Sequence, residues 1–195
     1  MPNWTTTAYS FVGTEEQAAE LYRKIEELEQ MDKPFEDNSF GSLWLGCLVS
    51  YLGGNWKEVY CRGEICSYEM AGKNAVLLNC ECAWDEMPEF RHFLERHYPG
   101  SKVYYQNEEP AMGIYTTNDV EGICFPDRYL LDSNEDFEYF ETIEEAASYV
   151  GRLTCREVEP RMRAIRDALN EYADIRQEND EDVFYAFHEF RIIDG

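Results

Sequence analysis

The sequence predicts an α+β fold, with helices on one face of an antiparallel sheet, and three observations carry that expectation. Residues 4–12 (WTTTAYSFV) are rich in Thr and aromatic side chains, which suit a pleated, half-buried strand. Residues 75–84 (AVLLNCECAW) alternate with period two. Helical spacing alternates with these strand signals, in Ala18, Leu21, Tyr22, Ile25 and Leu28 and again in Phe90, Phe93 and Leu94. With no internal repeat and no flexible linker, the reading is one domain: a core over 1–118 and a C-terminal elaboration over 119–195 packed on it.

The first helix is marked by its start. Thr14 and Gln17 form a capping box, and Glu15 and Glu16 sit where the helix dipole favours negative charge. Residues 41–52 are ambiguous: Leu43, Trp44, Cys47, Leu48 and Tyr51 fit a helical stripe ended by Gly53 and Gly54, yet a buried strand also fits. The helix is preferred. Residues 59–70 (VYCRGEICSYEM) read as a strand kinked or bulged near Gly63, and AGKN turns the chain. The strand over 75–84 then puts Val76, Leu78, Cys80, Cys82 and Trp84 on one face, and Leu77, Asn79, Glu81 and Ala83 on the other. Asp85 is expected to cap the next helix, which Pro99 and Gly100 stop. KVYYQN is a further strand, and 111–117 is a candidate for another. Apart from the inserted helix this is the βαββαβ order of a ferredoxin-like sandwich.

Beyond residue 118 the pattern loosens. Thr142 and Glu145 make a second capping box, and Pro160 opens a longer helix with Ile165, Leu169 and Tyr172 on one face. NDED, residues 179–182, is expected to break it. VFYAFHEFRII is a last strand, apolar on both faces and so expected inside a sheet rather than at its edge.

Seventeen basic residues against forty acidic ones give a net charge of −23. Binding a phosphate backbone needs clustered Lys and Arg, and the only loose cluster is Arg161, Arg163 and Arg166, so direct nucleic-acid binding is disfavoured. The same field repels anionic lipid, and no run approaches the ~18 apolar residues of a membrane span. The N-terminus lacks the basic region of a signal peptide, and seven cysteines, an odd number, point to free thiols in a reducing compartment. A cytoplasmic protein is expected.

Four cysteines crowd residues 61–84. Cys80 and Cys82 share a strand face with Val76 and Leu78, where a thiol behaves as a small hydrophobe. Cys61 and Cys66 lack the close pairing of zinc ligands, and His92 and His97 are poorly spaced for chelation. Neither a metal nor another cofactor is expected; a metal-dependent or thiol enzyme using Cys and His near residue 80 is the competing reading. No catalytic residue is assigned, since no histidine sits in a nucleophile motif and His188 reads as a strand histidine. Binding candidates are Trp56, Arg62 and Glu64 around the Gly-rich GGNWKEVYCRGE, because aromatic and Arg side chains often anchor partners. Glu108 and Glu109, before Pro110, complete the set.

MPNW at the start, GNW at 54–56, NCECAW, FLERHYPGSKVYY and EEPAMGIYTTND, in that order, resemble the YubB-like ferredoxin-like domain of plasmid, phage and conjugative-element proteins. Trp84, Tyr98-Pro99 and Glu109-Pro110 match that pattern; Pro88 falls one place late, Ala111 stands for the usual Gly and Thr5 for a frequent Cys. The resemblance covers about 1–118, and the remainder is similar to an elaboration in gut Bacteroidales-type relatives. It implies the fold and a mobile-element origin; it implies no activity. The functional expectation is a non-enzymatic interaction module offering an acidic surface to a basic protein. In one version, residues 119–145, with ten acidic residues and one Arg, imitate a phosphate backbone as a ridge. Oligomeric state is not legible.

Overall fold

The structure, a computed structural model, describes residues 3–135, 137–178 and 182–193. In chain order the elements are β1 (Trp4–Val12), α1 (Glu15–Glu29), α2 (Leu45–Tyr51), β2 (Gly63–Met70), β3 (Ala75–Ala83), α3 (Pro88–His97), β4 (Lys102–Glu109) and β5 (Ile114–Thr117). Then follow β6 (Tyr129–Ser133), β7 (Phe137–Phe140), α4 (Ile143–Thr154), α5 (Met162–Gln177), β8 (Tyr185–Glu189) and β9 (Arg191–Ile192). Single 3-10 turns occur at Trp56–Glu58 and Pro110–Met112. This is an α+β chain. It forms two compact units, Met1–Val120 with Ile192–Gly195, and Glu121–Arg191.

In the first unit the strands lie in the order β2-β3-β1-β4-β5-β9, and β1 pairs antiparallel with both β3 and β4. Alternation decides the faces: Tyr9 and Phe11 of β1 and Val76, Leu78, Cys80 and Cys82 of β3 enter one core with Leu21, Ile25 and Leu28 of α1. Leu45 and Leu48 of α2 and Phe90 and Leu94 of α3 join that core, so all three helices cover the same sheet face. Each large apolar side chain buried this way contributes about 1.5–3 kcal/mol. Thr14 accepts from the Gln17 N–H while Gln17 Oε1 accepts from the Thr14 N–H, so the capping box is present in both directions.

The ambiguous stretch 41–52 holds the short helix α2. Three expectations here need correction. The strand begins at Gly63, not 59; the bulge expected near Gly63 falls between Ile65 and Ser67. The extra residue at Cys66 resets the alternation, so that buried Ile65 and half-buried Tyr68, an odd step apart, both pack on the core. Gly63 is there for space: a Cβ would lie 2.7 Å from the Glu81 carbonyl oxygen and 2.9 Å from Cys82 Sγ. Trp84 does not share the face of Cys82; its φ of 77° takes the chain out of the strand and leaves the ring exposed. Asp85 caps no helix. The residue before α3 is Met87, with Pro88 opening the helix, and Asp85 Oδ1 accepts instead from the Glu86 N–H (2.8 Å) and from Asn107 Nδ2 (3.0 Å).

The second unit has a three-stranded sheet, β7-β6-β8, whose Leu131 and Phe187 share a core with Ala146, Val150, Ile165 and Leu169 of α4 and α5. The capping box of Thr142 and Glu145 is formed. α5 starts at Met162, two residues after Pro160. The final apolar run is not one interior strand: it splits at Phe190 into β8 and β9, and β8 is a sheet edge. Phe187 is buried, whereas Phe184 stays exposed, because only one side of β8 is covered by the helices of this unit. Residues 179–181 of the expected helix break, and Met1 and Pro2 of the opening motif, lie outside the described residues.

Candidate functional site

The aromatic residues between α2 and β2 make one cleft. Gly53, at φ +83°, turns the chain after α2, and Gly54 packs so closely that a Cβ would meet Phe93 at 2.5 Å. Asn55 then accepts from the Lys57 N–H and sets the turn that carries Trp56. Trp44 is buried, its Nε1–H donating to the Cys61 carbonyl at 3.0 Å. Its ring meets Trp56 edge-on at 5.1 Å and stacks with Phe40 at 6.1 Å, and Phe40 meets Trp4 at 6.0 Å. A cleft of about 450 Å³ opens beside these rings, lined also by Tyr60, Arg62, Lys57, Glu58 and Glu89. Lys57 Nζ stands 5.7 Å from the centre of the Trp56 ring. At the cleft wall the Cys61 thiol is pushed up to about 12, first by burial and then by Glu89, so it stays protonated at neutral pH.

Tyr60 also lines a second cavity, of about 530 Å³, with Trp84, Asp85, Glu86, Arg91, His92 and Tyr105. Glu86 and Arg91 form an ion pair at 3.2 Å, with side chains only 8% and 3% exposed. Burial raises the pKa of Glu86 and Arg91 opposes that rise. Tyr9 pins the pair: its hydroxyl accepts from the Met87 N–H at 2.7 Å and donates to Glu86 Oε2 at 3.4 Å. Arg91 Nη1 lies 3.3 Å from His92 Nε2. A guanidinium only donates, so that nitrogen accepts and the imidazole proton sits on Nδ1. Burial, followed by Arg91, lowers the pKa of His92 and keeps the ring neutral. The Arg91 guanidinium lies 5.4 Å from the centre of the Tyr105 ring.

The five binding candidates do not converge. Trp56 and Arg62 line the first cleft. Glu64 faces Glu81, which faces Thr6, which faces Glu108, so Glu64 and Glu108 belong to one row across the sheet on the side away from the helices. Glu109 is buried, and its carboxylate accepts from the Met112 N–H, holding the 3-10 turn after β4. Trp44, Phe40, Tyr60, Trp84 and Arg91 escaped sequence reasoning, since each sits inside or beside a pattern that reads as ordinary helix or strand.

Cys47, Cys61, Cys80 and Cys82 are buried and Cys66 and Cys155 exposed, and none of these six is in a disulfide. Among the described residues no group of three or more His, Cys, Asp or Glu is placed to hold a metal ion. Arg161 pairs with Glu159 at 2.9 Å, Arg163 with Asp167 at 3.7 Å, and Arg166 Nε donates to the Phe187 carbonyl. In the acid-rich segment Asp119 and Asp132 are buried, and Glu135 is held by Arg176 at 2.6 and 2.8 Å. Asp119 and Asp132 are therefore not available to an exposed ridge, and the charge of exposed Glu135 is met by Arg176. No described helix is long and apolar enough to cross a membrane. No family model, no curated protein and no solved structure matches the chain.

Proposed function

We propose that this chain is a non-enzymatic interaction module that docks a basic protein segment in the cleft of Phe40, Trp44, Trp56 and Tyr60. The observation that carries the reading is this aromatic cleft on a chain of net charge −23. An aromatic face attracts a guanidinium or ammonium, and Lys57 already rests beside the Trp56 ring in that way. Within the cleft Glu58 and Glu89 are matched by Lys57 and Arg62, so the aromatic rings supply the attraction there, while the chain's summed field speeds the approach of a cationic partner.

The fold belongs to the same proposal. The order β1-α1-β2-β3-α3-β4, with β2-β3-β1-β4 adjacent in the sheet, supports a ferredoxin-like sandwich with α2 inserted and β5 and β9 added. We read the chain as a YubB-like, cytoplasmic protein of a mobile element on the motifs given above; nothing in the cleft depends on that origin.

The test is a tryptophan-fluorescence titration with an Arg-rich peptide at low and high salt. Binding should weaken steeply with salt, and Trp56→Ala should weaken it about tenfold, or about 1.4 kcal/mol. An acidic peptide of the same length that binds as well, or a Trp56→Ala variant that binds unchanged, refutes the reading.

A further inference from the structure

We propose that the second cavity, floored by Arg91 and walled by Trp84, Tyr60 and Tyr105, binds a small aromatic molecule carrying an sp² acceptor oxygen, a carboxylate or an amide carbonyl. Arg91 is the chemical handle of this cavity. Its side chain is 3% exposed, and a guanidinium carries five N–H donors. Nη1 serves His92 and Nη2 serves Glu86, while Nε has no acceptor among the described residues. Buried donors are normally satisfied, and an arginine left with unspent N–H groups beside a cavity calls for an acceptor from outside.

Trp84 is the second, independent sign. A φ of 77° is unusual for a bulky residue, and it is held here by the Trp84 N–H bonding to the Asn3 carbonyl at 2.9 Å. Such strained positions gather at ligand clamps. Its consequence is that a large ring, 46% exposed, stands at the cavity instead of entering the core. With Tyr60 and Tyr105 it offers aromatic walls to a flat ligand, and about 530 Å³ is ample for a single ring.

The donors narrow the class. Arg91 is already paired with Glu86, so its unspent N–H, rather than a net positive charge, selects an acceptor over a cationic ligand. Asp85 Oδ1 is already engaged by Asn107 and the Glu86 N–H, so that oxygen offers it little. A polyanion is opposed by the net charge of −23. What remains is a neutral or singly charged acceptor on an aromatic body. This inference is independent of the basic-partner cleft, although Tyr60 borders both.

The experiment is NMR titration of the full chain, following tryptophan indole N–H signals, with benzoate and benzamide as probes and toluene and benzylamine as controls. The Trp84 signal should move, with those of Trp44 and Trp56 unmoved, and Trp84→Ala and Arg91→Lys should each weaken binding at least tenfold. Binding of benzoate alone assigns the ligand as an anion; binding of benzamide alone, or of both, assigns it as a carbonyl acceptor. The proposal is overturned if neither probe binds, if toluene or benzylamine binds as well, or if a folded Trp84→Ala variant retains full affinity. Because Trp84 is exposed, that variant remains informative even if Arg91→Lys fails to fold.

Discussion

At the scale of single residues, the buried pair of Glu86 and Arg91 is a costly arrangement, since ions taken out of water regain their solvation only through each other and their hydrogen bonds. Removing one partner exposes that cost. Arg91→Met should destabilise the protein by about 3–5 kcal/mol at neutral pH, because an unpaired carboxylate stays behind. The deficit should shrink in acid: the Glu86 pKa already lies above its ordinary value, and without Arg91 it rises further. A raised carboxylate pKa costs stability once pH exceeds the unfolded value of about 4.3, and that cost vanishes below it. Denaturant unfolding of Arg91→Met and of the double variant Glu86→Gln/Arg91→Met across pH checks this; the double variant should recover most of the loss at pH 7. The inward placement of Cys80 and Cys82 was readable from their alternation with Val76 and Leu78. The departure of Trp84 was not, because a tryptophan at the end of a strand signal looks the same whether it continues the pleat or turns out of it.

At the scale of elements, local chemistry was the more legible part. Thr14 with Gln17 and Thr142 with Glu145 start α1 and α4 where the letters say they should, because a capping box involves residues only three apart. The tie between α1 and α2 is different. The Tyr51 hydroxyl donates to Glu27 Oε2 at 2.6 Å, and this bond, with help from Lys24 and Arg23, draws the Glu27 pKa down to about 2. A depressed carboxylate pKa adds stability that is present above the unfolded value of about 4.3 and is lost as pH falls through the folded one. Tyr51→Phe should therefore remove part of the acid-induced loss between those two values, seen as a flatter fall of the melting temperature with pH, while costing stability at pH 7. The misplacement of the last strand also belongs to this scale. An apolar run over 183–193 carries no mark of a break at Phe190, and its division between β8 and β9 follows from which residues find pairing partners.

At the scale of the whole molecule, forty carboxylates against seventeen basic groups make self-repulsion a standing cost of the folded state. Salt should relieve it. Between about 10 and 150 mM ionic strength the screening length falls from about 30 to about 8 Å. The melting temperature should rise over that interval, measured in a salt that does not bind specifically; a melting temperature that falls instead would show that the ion pairs outweigh the repulsion.

The sequence by itself determined the α+β class, the two capped helix starts, the core face of β3 and the sign of the surface field, since each depends on composition or on neighbours a few positions apart. Only the tertiary structure decided that Phe40, Trp44, Trp56 and Tyr60 share a cleft and that Arg91 and Trp84 line one cavity. Those meetings depend on strand register, on a bulge at Cys66 and on one left-handed residue, and the energy that selects them comes from contacts between segments distant in the chain.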